Sequence, residues 1–279
     1  MMEFNWDIHY KCNYRCPYCP FYGKWQEVSQ ASRYFSVEEW ISAWRRVYKK
    51  YGTVRIIMAG GEPIIYPSSF ALIKELSRMH QLDVVTNLSC SKEVLSDLIG
   101  QLDDSHKLSL SASYQPLFTS FELFLEKILI IKEKGILAGI NIVAYPPALK
   151  LLGYFKDEFK KNGFNIVILP FRGEYGGVIY PYGYTAEEAS MIYDLAADFP
   201  IKQQEQLEQF MHPNKSKGKL CYAGQKYVHI GCDAQVYRCN TGEQRIGYFF
   251  DEKLTFLEHP LVCEQEVCPC EFRWLVKDN

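Results

Sequence analysis

The chain of 279 residues carries 31 basic and 33 acidic side chains, a net charge of −2, which is no footprint for gripping a nucleic-acid backbone. With 48% hydrophobic and 15% aromatic residues it has the composition of a folded globular protein, long enough for one large domain with a small appendage. No run approaches the ~18 apolar residues that span a bilayer. MMEFNWDIHY carries acids where a signal peptide carries lysines, so the sequence predicts a cytoplasmic protein with no membrane and no nucleic-acid partner.

From the N-terminus, short β-type runs alternate with amphipathic stretches. The runs are FNWDIHY (4–10), VRIIMAG (54–60), LDVVTN (82–87), KLSLSAS (107–113), AGINIVAY (138–145) and FNIVILPF (164–171). SVEEWISAWRRVYKKYG (36–52) opens on Ser36, has glutamates in its first turn and ends in lysines before Gly52, as a capped helix does. SSFALIKELSRMH, SKEVLSDLIGQL and FELFLEKILIIKEKG follow with apolar residues at helical spacing. Six strand–helix units predict a parallel sheet curled with its helices outside, an α/β fold of partial (β/α)6 TIM-like barrel type. Chemistry in such folds sits at the C-terminal ends of the strands.

Beyond residue 171 the rhythm loosens. RGEYGGVIYPYGY reads as a long loop, and TAEEASMIYDLAADF as a helix with Thr185 as N-cap and Glu188 three residues on. HPNKSKGK (212–219) is a polar linker, followed by the short β-like pieces KYVHIG, AQVYRC and RIGYFF. The expected division is a barrel over 1–200 and a small cysteine-rich domain over 201–279.

Ten cysteines in a reducing compartment point to metal or redox chemistry. Cys12, Cys16 and Cys19 follow the first strand, Cys90 stands alone, and Cys221, Cys232, Cys239, Cys263, Cys268 and Cys270 fall after residue 220. The Cys-x3-Cys-x2-Cys spacing lets one short loop fold three thiolates around a corner of an iron–sulfur cube. A cube held by four cysteines is full; one held by three leaves an iron open to a substrate. The alternatives are a zinc knuckle completed by His9 or a distant cysteine, or three unrelated buried thiols.

CNYRCPYC resembles the signature of the radical S-adenosylmethionine (SAM) superfamily, Cys-x3-Cys-x-aromatic-Cys, with Tyr18 as the aromatic residue. The second strand ends in Gly60, Gly61, Glu62 and Pro63, which resemble the family's Gly-Gly-Glu-Pro motif. That resemblance implies contact with the amino group of SAM, the glycines leaving main chain exposed to a ligand. VVTNLS and LSLSAS are similar to the family's third and fourth strands, which makes Asn87 and Ser111 candidate SAM contacts. The resemblance covers residues 4 to 170. It implies a [4Fe–4S] cluster with an open iron, SAM as the missing ligand, a 5′-deoxyadenosyl radical that abstracts hydrogen from a substrate, and a reducing partner such as flavodoxin or ferredoxin.

CYAGQKYVHIGCDAQVYRC (221–239) is similar to the cysteine frame of SPASM and twitch domains, which hold auxiliary clusters. Ala234 stands where the frame has a glycine, which suggests a different turn. On this resemblance a second, auxiliary [4Fe–4S] cluster is held by Cys221, Cys239, Cys268 and Cys270, with Cys263 in reserve; a zinc site is the alternative. Cys232 fits no ligand position and reads as structural, and Cys90 as a small buried hydrophobe. Arg172, Glu174, Tyr175, Tyr180, Tyr182 and Tyr184 either line a substrate pocket or pack the barrel against the small domain. The sequence thus predicts a radical SAM oxidoreductase, dehydrogenase-like on a small molecule. A peptide maturase is one alternative, and a non-catalytic zinc or iron–sulfur binding protein is another.

Overall fold

The computed structural model describes residues 1–241, 244–268 and 275–276. β1 (Glu3–His9), β2 (Arg55–Gly60), β3 (Gln81–Thr86), β4 (Leu108–Ser113), β5 (Leu137–Ala144) and β6 (Ile166–Pro170) lie side by side in sequence order, all parallel. Helices fill the crossovers: α1 (Trp25–Ala31) and α2 (Val37–Tyr51), then α3 (Ser69–Met79), α4 (Lys92–Gly100), α5 (Phe121–Glu133) and α6 (Leu152–Lys161). The six-strand reading therefore holds. α2 starts at the expected place because Ser36 and Glu39 form a reciprocal capping box, and Lys49 and Lys50 occupy its last turn.

The alternation of β1 sets the two sides of the sheet. Phe4, Trp6 and Ile8 are fully buried, with Trp6 4.5 Å from Trp40 of α2 and Phe4 5.2 Å from Trp44, ring centre to ring centre. Each such side chain contributes about 1.5–3 kcal/mol of hydrophobic burial. The opposite face carries Glu3, Asn5 and Asp7, and it meets polar groups of the neighbouring strands. Arg55 Nη1 donates to Glu3 Oε1 at 2.8 Å, and Ser111 Oγ donates to Asp83 Oδ1 at 3.0 Å. The outside of the curl is thus an apolar core, and the inside mixes these polar groups with smaller apolar clusters around Ile57 and Tyr18.

After β6 the segment read as a loop holds a hairpin, β7 (Gly173–Tyr175) and β8 (Val178–Tyr180). Its turn is Gly176–Gly177, with φ of 60° and 78°, the left-handed pair that a tight hairpin requires. α7 (Ala186–Ala196) has the expected Thr185–Glu188 capping box, and α8 (Ile201–Met211), which no expectation covered, follows Pro200. Two short ladders come next in space: β9 (Asn214–Lys215) with β15 (Val267–Cys268), and β10 (Leu220–Cys221) with β14 (Leu261–Val262).

Strands β11 (Tyr227–Ile230), β12 (Gln235–Tyr237) and β13 (Arg245–Tyr248) extend the barrel sheet itself. β11 runs parallel to β1, from Glu3 opposite Tyr227 to Trp6 opposite Ile230, and the sheet reaches nine strands in the order β13-β12-β11-β1-β2-β3-β4-β5-β6. Phe249 lies 4.7 Å from Trp44, so the cysteine-rich segment also buries side chains against α2. At the β11–β12 turn Ala234 adopts a φ of 62°, the conformation a glycine takes easily. Asp233 Oδ1 accepts from Gln235 N at 3.0 Å and closes that turn. The turn is therefore glycine-like despite the alanine, contrary to expectation; its methyl is fully buried.

Candidate active site

The loop after β1 leaves the sheet at its C-terminal edge and presents Cys12, Cys16 and Cys19, all half-buried. Cys12 Sγ accepts from Tyr14 N at 3.4 Å and from Asn87 Nδ2 at 3.7 Å, and Cys19 Sγ accepts from Phe21 N at 3.4 Å. Such donors favour thiolates. Burial, followed by the neighbouring Cys12 and Cys19, pushes the Cys16 thiol up to about 12. Three thiolates that repel one another need positive charge between them, which fits an iron–sulfur group. Among the described residues no three His, Cys, Asp or Glu side chains converge on one metal ion. A cube spreads its thiolates over separate irons, whereas zinc gathers them on one point. His9 is not a fourth ligand: it is fully buried, and Nε2–H donates to Glu62 O at 2.8 Å.

Gly60 and Gly61 are explained by the chain's own backbone. A Cβ on Gly60 would stand 2.2 Å from His9 O, and one on Gly61 2.0 Å from Lys11 O. Gly61 N donates to His9 O at 2.7 Å and Glu62 N to Lys11 O at 2.9 Å. The glycines let β2 lie against the lead-in to the cysteine loop. Glu62, 1% exposed, accepts from Ile64 N, Thr86 Oγ1 at 2.6 Å and Asn87 N at 2.7 Å. Its burial raises its pKa while those hydrogen bonds hold it down. Its carboxylate ties β2 to β3 and starts the short 3-10 helix that opens on Pro63. Asn87 Nδ2 also reaches Asn13 Oδ1 at 3.3 Å, so this residue supports the cysteine loop directly. Ser111 spends its hydroxyl on Asp83, deeper in the barrel.

Tyr18 is 8% exposed, with its hydroxyl buried beside Cys16. It packs 5.2 Å from Tyr145, in a cluster with Phe171 and Tyr180 that Cys16 and Tyr184 adjoin. Tyr184 Oη donates to Ala144 O at 2.5 Å and accepts from Phe171 N at 2.8 Å, joining the ends of β5 and β6. Tyr175 stacks edge-on against Tyr145, and Arg172 lies over Phe210 at 4.3 Å. Tyr182 and Glu174 are exposed. The tyrosine-rich segment thus packs beside the cysteine loop through Tyr180 and Tyr184 and reaches α8 through Arg172.

Cys221, Cys239, Cys263 and Cys268 all adjoin one apolar cluster formed with Ile57, Ala223, Tyr227 and Leu275. Cys263 and Cys268 are near enough to Cys221 to raise its pKa, after burial, while Arg238 lowers it. Cys270 lies outside the described residues. Sequence reasoning missed Arg238. It is 6% exposed and donates to the carbonyls of Ala223, Cys221, Leu261 and Val262 and to Gln244 Oε1. Among the described residues no carboxylate balances it, so a buried cation stands beside the thiols. Cys232 is buried with Sγ toward Ala31 O, and Cys90 is half-buried against the main core, where burial raises its thiol.

A second polar group also went unforeseen. Asn5 Nδ2 lies 3.2 Å from His229 Nδ1, and His229 Nε2 lies 3.6 Å from Asp7 Oδ2, which also accepts from Tyr10 Oη at 3.0 Å. Burial raises the pKa of Asp7, with His229 and Tyr10 pulling it down. Tyr10 and His229, with Asp233, Tyr237, Cys239 and Arg245, line a cavity of about 620 Å³.

Three thiols thus stand at the C-terminal edge of an open parallel α/β barrel, with the buried Tyr18 beside them. The chain belongs to the radical SAM superfamily, whose profile matches residues 6–148. Membership supports an enzyme that uses a [4Fe–4S] cluster and SAM. No curated relative matches the chain. Among solved structures it is similar to Streptococcus suis SuiB, at 13% identity and a TM-score of 0.64 over 91% of this chain. SuiB bound to its precursor peptide SuiA gives 14% and 0.63. Native anSMEcpe with bound AdoMet and Cp18Cys peptide gives 15% and 0.60, covering 89% of this chain and 77% of that one. The chain spans 64% of the SuiB chain, and at these identities the likeness is one of fold. Among the described residues no helix is long and apolar enough to cross a membrane.

Proposed function

We propose that the chain is a radical SAM oxidoreductase or maturase that modifies a peptide side chain. The observation that carries the chemistry is the meeting of the Cys12–Cys19 loop with the Gly60–Gly61 backbone and Asn87 at the C-terminal edge of the barrel. When bound, the cluster and SAM supply a 5′-deoxyadenosyl radical that takes a hydrogen from the substrate. In this reading Cys12, Cys16 and Cys19 hold the cluster. Gly60 to Pro63, Asn87 and Tyr18 shape the SAM cavity, Ser111 supporting it through Asp83. The aromatic wall of Tyr145, Phe171 and Tyr180 keeps water from the mouth.

The auxiliary cluster is proposed on Cys221, Cys239, Cys268 and Cys270, with Cys263, which also adjoins Cys221, in reserve; the buried Arg238 supports an anionic group there. The barrel over 1–200 and the cysteine-rich part over 201–279 then act as two modules built on one sheet. A peptide substrate is supported by the peptides bound in SuiB and anSMEcpe. A small-molecule substrate is the second reading, supported by the cavity of about 620 Å³, a size typical of small-molecule sites. An acidic one-electron carrier such as flavodoxin or ferredoxin is the proposed reductant.

Anaerobic reconstitution tests this. About eight irons per chain and SAM cleavage to 5′-deoxyadenosine on reduction are expected, each cube holding about four irons. Deuterium transfer from a labelled peptide or small molecule into 5′-deoxyadenosine separates the two substrate readings. About one zinc with no iron and no SAM binding, the result of a closed structural site, sinks both.

A further inference from the structure

Residues 10–35, the cysteine loop and the segment after it, hold Lys11, Arg15, Lys24 and Arg33 against the single acid Glu27, in a chain whose net charge is −2. All four cations are exposed, and none has a carboxylate partner among the described residues, whereas Arg45, Arg55 and Arg78 each find one. Aromatic rings stand among these cations. Lys11 Nζ lies 4.8 Å from the centre of the Tyr34 ring, and the Arg15 guanidinium 5.9 Å from that of Trp25. Tyr22 and Tyr34 are 59% and 44% exposed, and α1 buries none of its residues. Between α1 and the loop runs an open groove of about 890 Å³, lined by Lys11, Arg15, Trp25, Gln26 and Tyr34. Arginine and exposed aromatics are the residues enriched in protein interfaces.

The position of this patch decides its occupant. Lys11 and Arg15 directly precede Cys12 and Cys16, and Arg15 donates to the carbonyls of Cys12 and Tyr14. The thiol side of the loop meets Tyr18 and the barrel mouth, so the groove is its outer side. We infer that this basic, aromatic face is the docking surface for a small acidic one-electron carrier protein, which delivers its electron through the cysteine loop. The inference rests on the radical SAM reading. One electron leaves the carrier and enters at the loop; no bond forms or breaks. Weak redox encounters use small interfaces steered by complementary charge, which matches Lys11 and Arg15 lining an open groove, with Lys24 and Arg33 next to lining residues in the same segment.

The probe is flavodoxin. Oxidised flavodoxin is titrated into the reconstituted enzyme by calorimetry, and initial SAM cleavage is followed with either flavodoxin hydroquinone or dithionite as electron source. The double variant Lys24→Glu/Arg33→Glu leaves the loop between Cys12 and Cys19 untouched. At low salt it should bind flavodoxin about tenfold more weakly and lose about as much flavodoxin-driven rate, with the dithionite-driven rate within about twofold of the parent. Lys202→Glu/Lys253→Glu, the same charge change on exposed residues elsewhere, should change neither. Unchanged binding in the first variant, or an equal loss in the second, overturns the assignment. So does a synthetic acidic peptide that binds this face more tightly than flavodoxin. If the dithionite rate falls equally, the variant has lost its cluster, and the parent enzyme decides. Its flavodoxin-driven rate must fall as salt rises toward about 0.5 M while the dithionite rate does not, and indifference to salt refutes the docking. Absence of any SAM cleavage with dithionite in the parent sinks the radical SAM reading, and calorimetry still reads the patch.

Discussion

Gly61→Ala tests whether the glycine pair exists for backbone contact. The added methyl would stand 2.0 Å from Lys11 O, 2.4 Å from Lys11 C and 2.7 Å from Tyr10 C, all main-chain atoms that no side-chain rotation can move. Either β2 or the segment at residues 9–11 must retreat, and the hydrogen bonds Gly61 N to His9 O and Glu62 N to Lys11 O stretch or break. Two such bonds contribute about 1–3 kcal/mol together, and overpacking costs about 1–3 kcal/mol more. The expected loss is therefore about 2–6 kcal/mol, a large part of a typical stability of about 5–15 kcal/mol. Because Lys11 adjoins Cys12, the displaced backbone also carries a thiol away from its place. Urea unfolding should show a lower midpoint at similar m, and reconstitution should give less iron at the first site. Gly100→Ala is the contrast: nothing lies within 4 Å of its added methyl, so it should be neutral or slightly stabilising. A Gly61→Ala protein with the parent midpoint and iron content refutes the steric account.

Arg238→Met removes a buried cation and orphans the carbonyls it serves; a loss of about 3 kcal/mol or more in urea unfolding is expected, with iron missing from the second site and kept at the first. Cys16→Ala should abolish SAM cleavage yet keep the second site's iron, read by Mössbauer or iron analysis; loss of both sites would refute the two-module division. His80 is fully buried, accepts from Val54 N at 3.3 Å and donates to Trp44 O at 3.2 Å, and burial lowers its pKa to about 4. The unfolded chain then binds the proton more readily, so this contribution is complete above pH ~6.5 and is lost as pH falls toward ~4, by about 2–3 kcal/mol. His80→Gln should flatten that part of the stability–pH profile, and an unchanged slope refutes the assignment.

The strand and helix order was legible because each unit announces itself locally. Ser36 with Glu39 and Thr185 with Glu188 mark helix starts within four residues, and β1 alternates Phe4, Trp6 and Ile8 against polar neighbours. The cysteine loop was equally legible, since its spacing is local. What stayed hidden depends on distant pairing. Nothing in YVHI says that it will lie parallel to β1, so the meeting of Asn5 with His229, 224 positions away, could not be read. Gly60 and Gly61 signalled close approach, and the chain's own residues 9–11 make one such approach that the sequence did not reveal. Arg238 looked like an ordinary residue before Cys239, because charge in a sequence reveals nothing of burial.

The parallel pairing of β11 with β1 has a functional consequence. β1 leads into the loop of Cys12, and the strand beside it, β11, leads through a tight turn and β12 to Cys239. Both cysteine groups therefore hang from adjacent strands of one sheet, so their separation is fixed by strand spacing and loop length, with no flexible linker between them. Tyr10, His229, Cys239 and Arg245 line one cavity, and His229 Nε2 lies 3.6 Å from Asp7 Oδ2. In the proposed function a substrate held there would meet Tyr10 and His229, both of which contact Asp7, a carboxylate whose buried setting raises its affinity for protons. Asp7→Asn keeps the shape and the hydrogen bond from Tyr10 but removes the acceptor. In the proposed oxidation it should lower the turnover of substrate while 5′-deoxyadenosine still forms, uncoupling the two. Equal loss of both products, or of neither, would place proton acceptance elsewhere in the barrel.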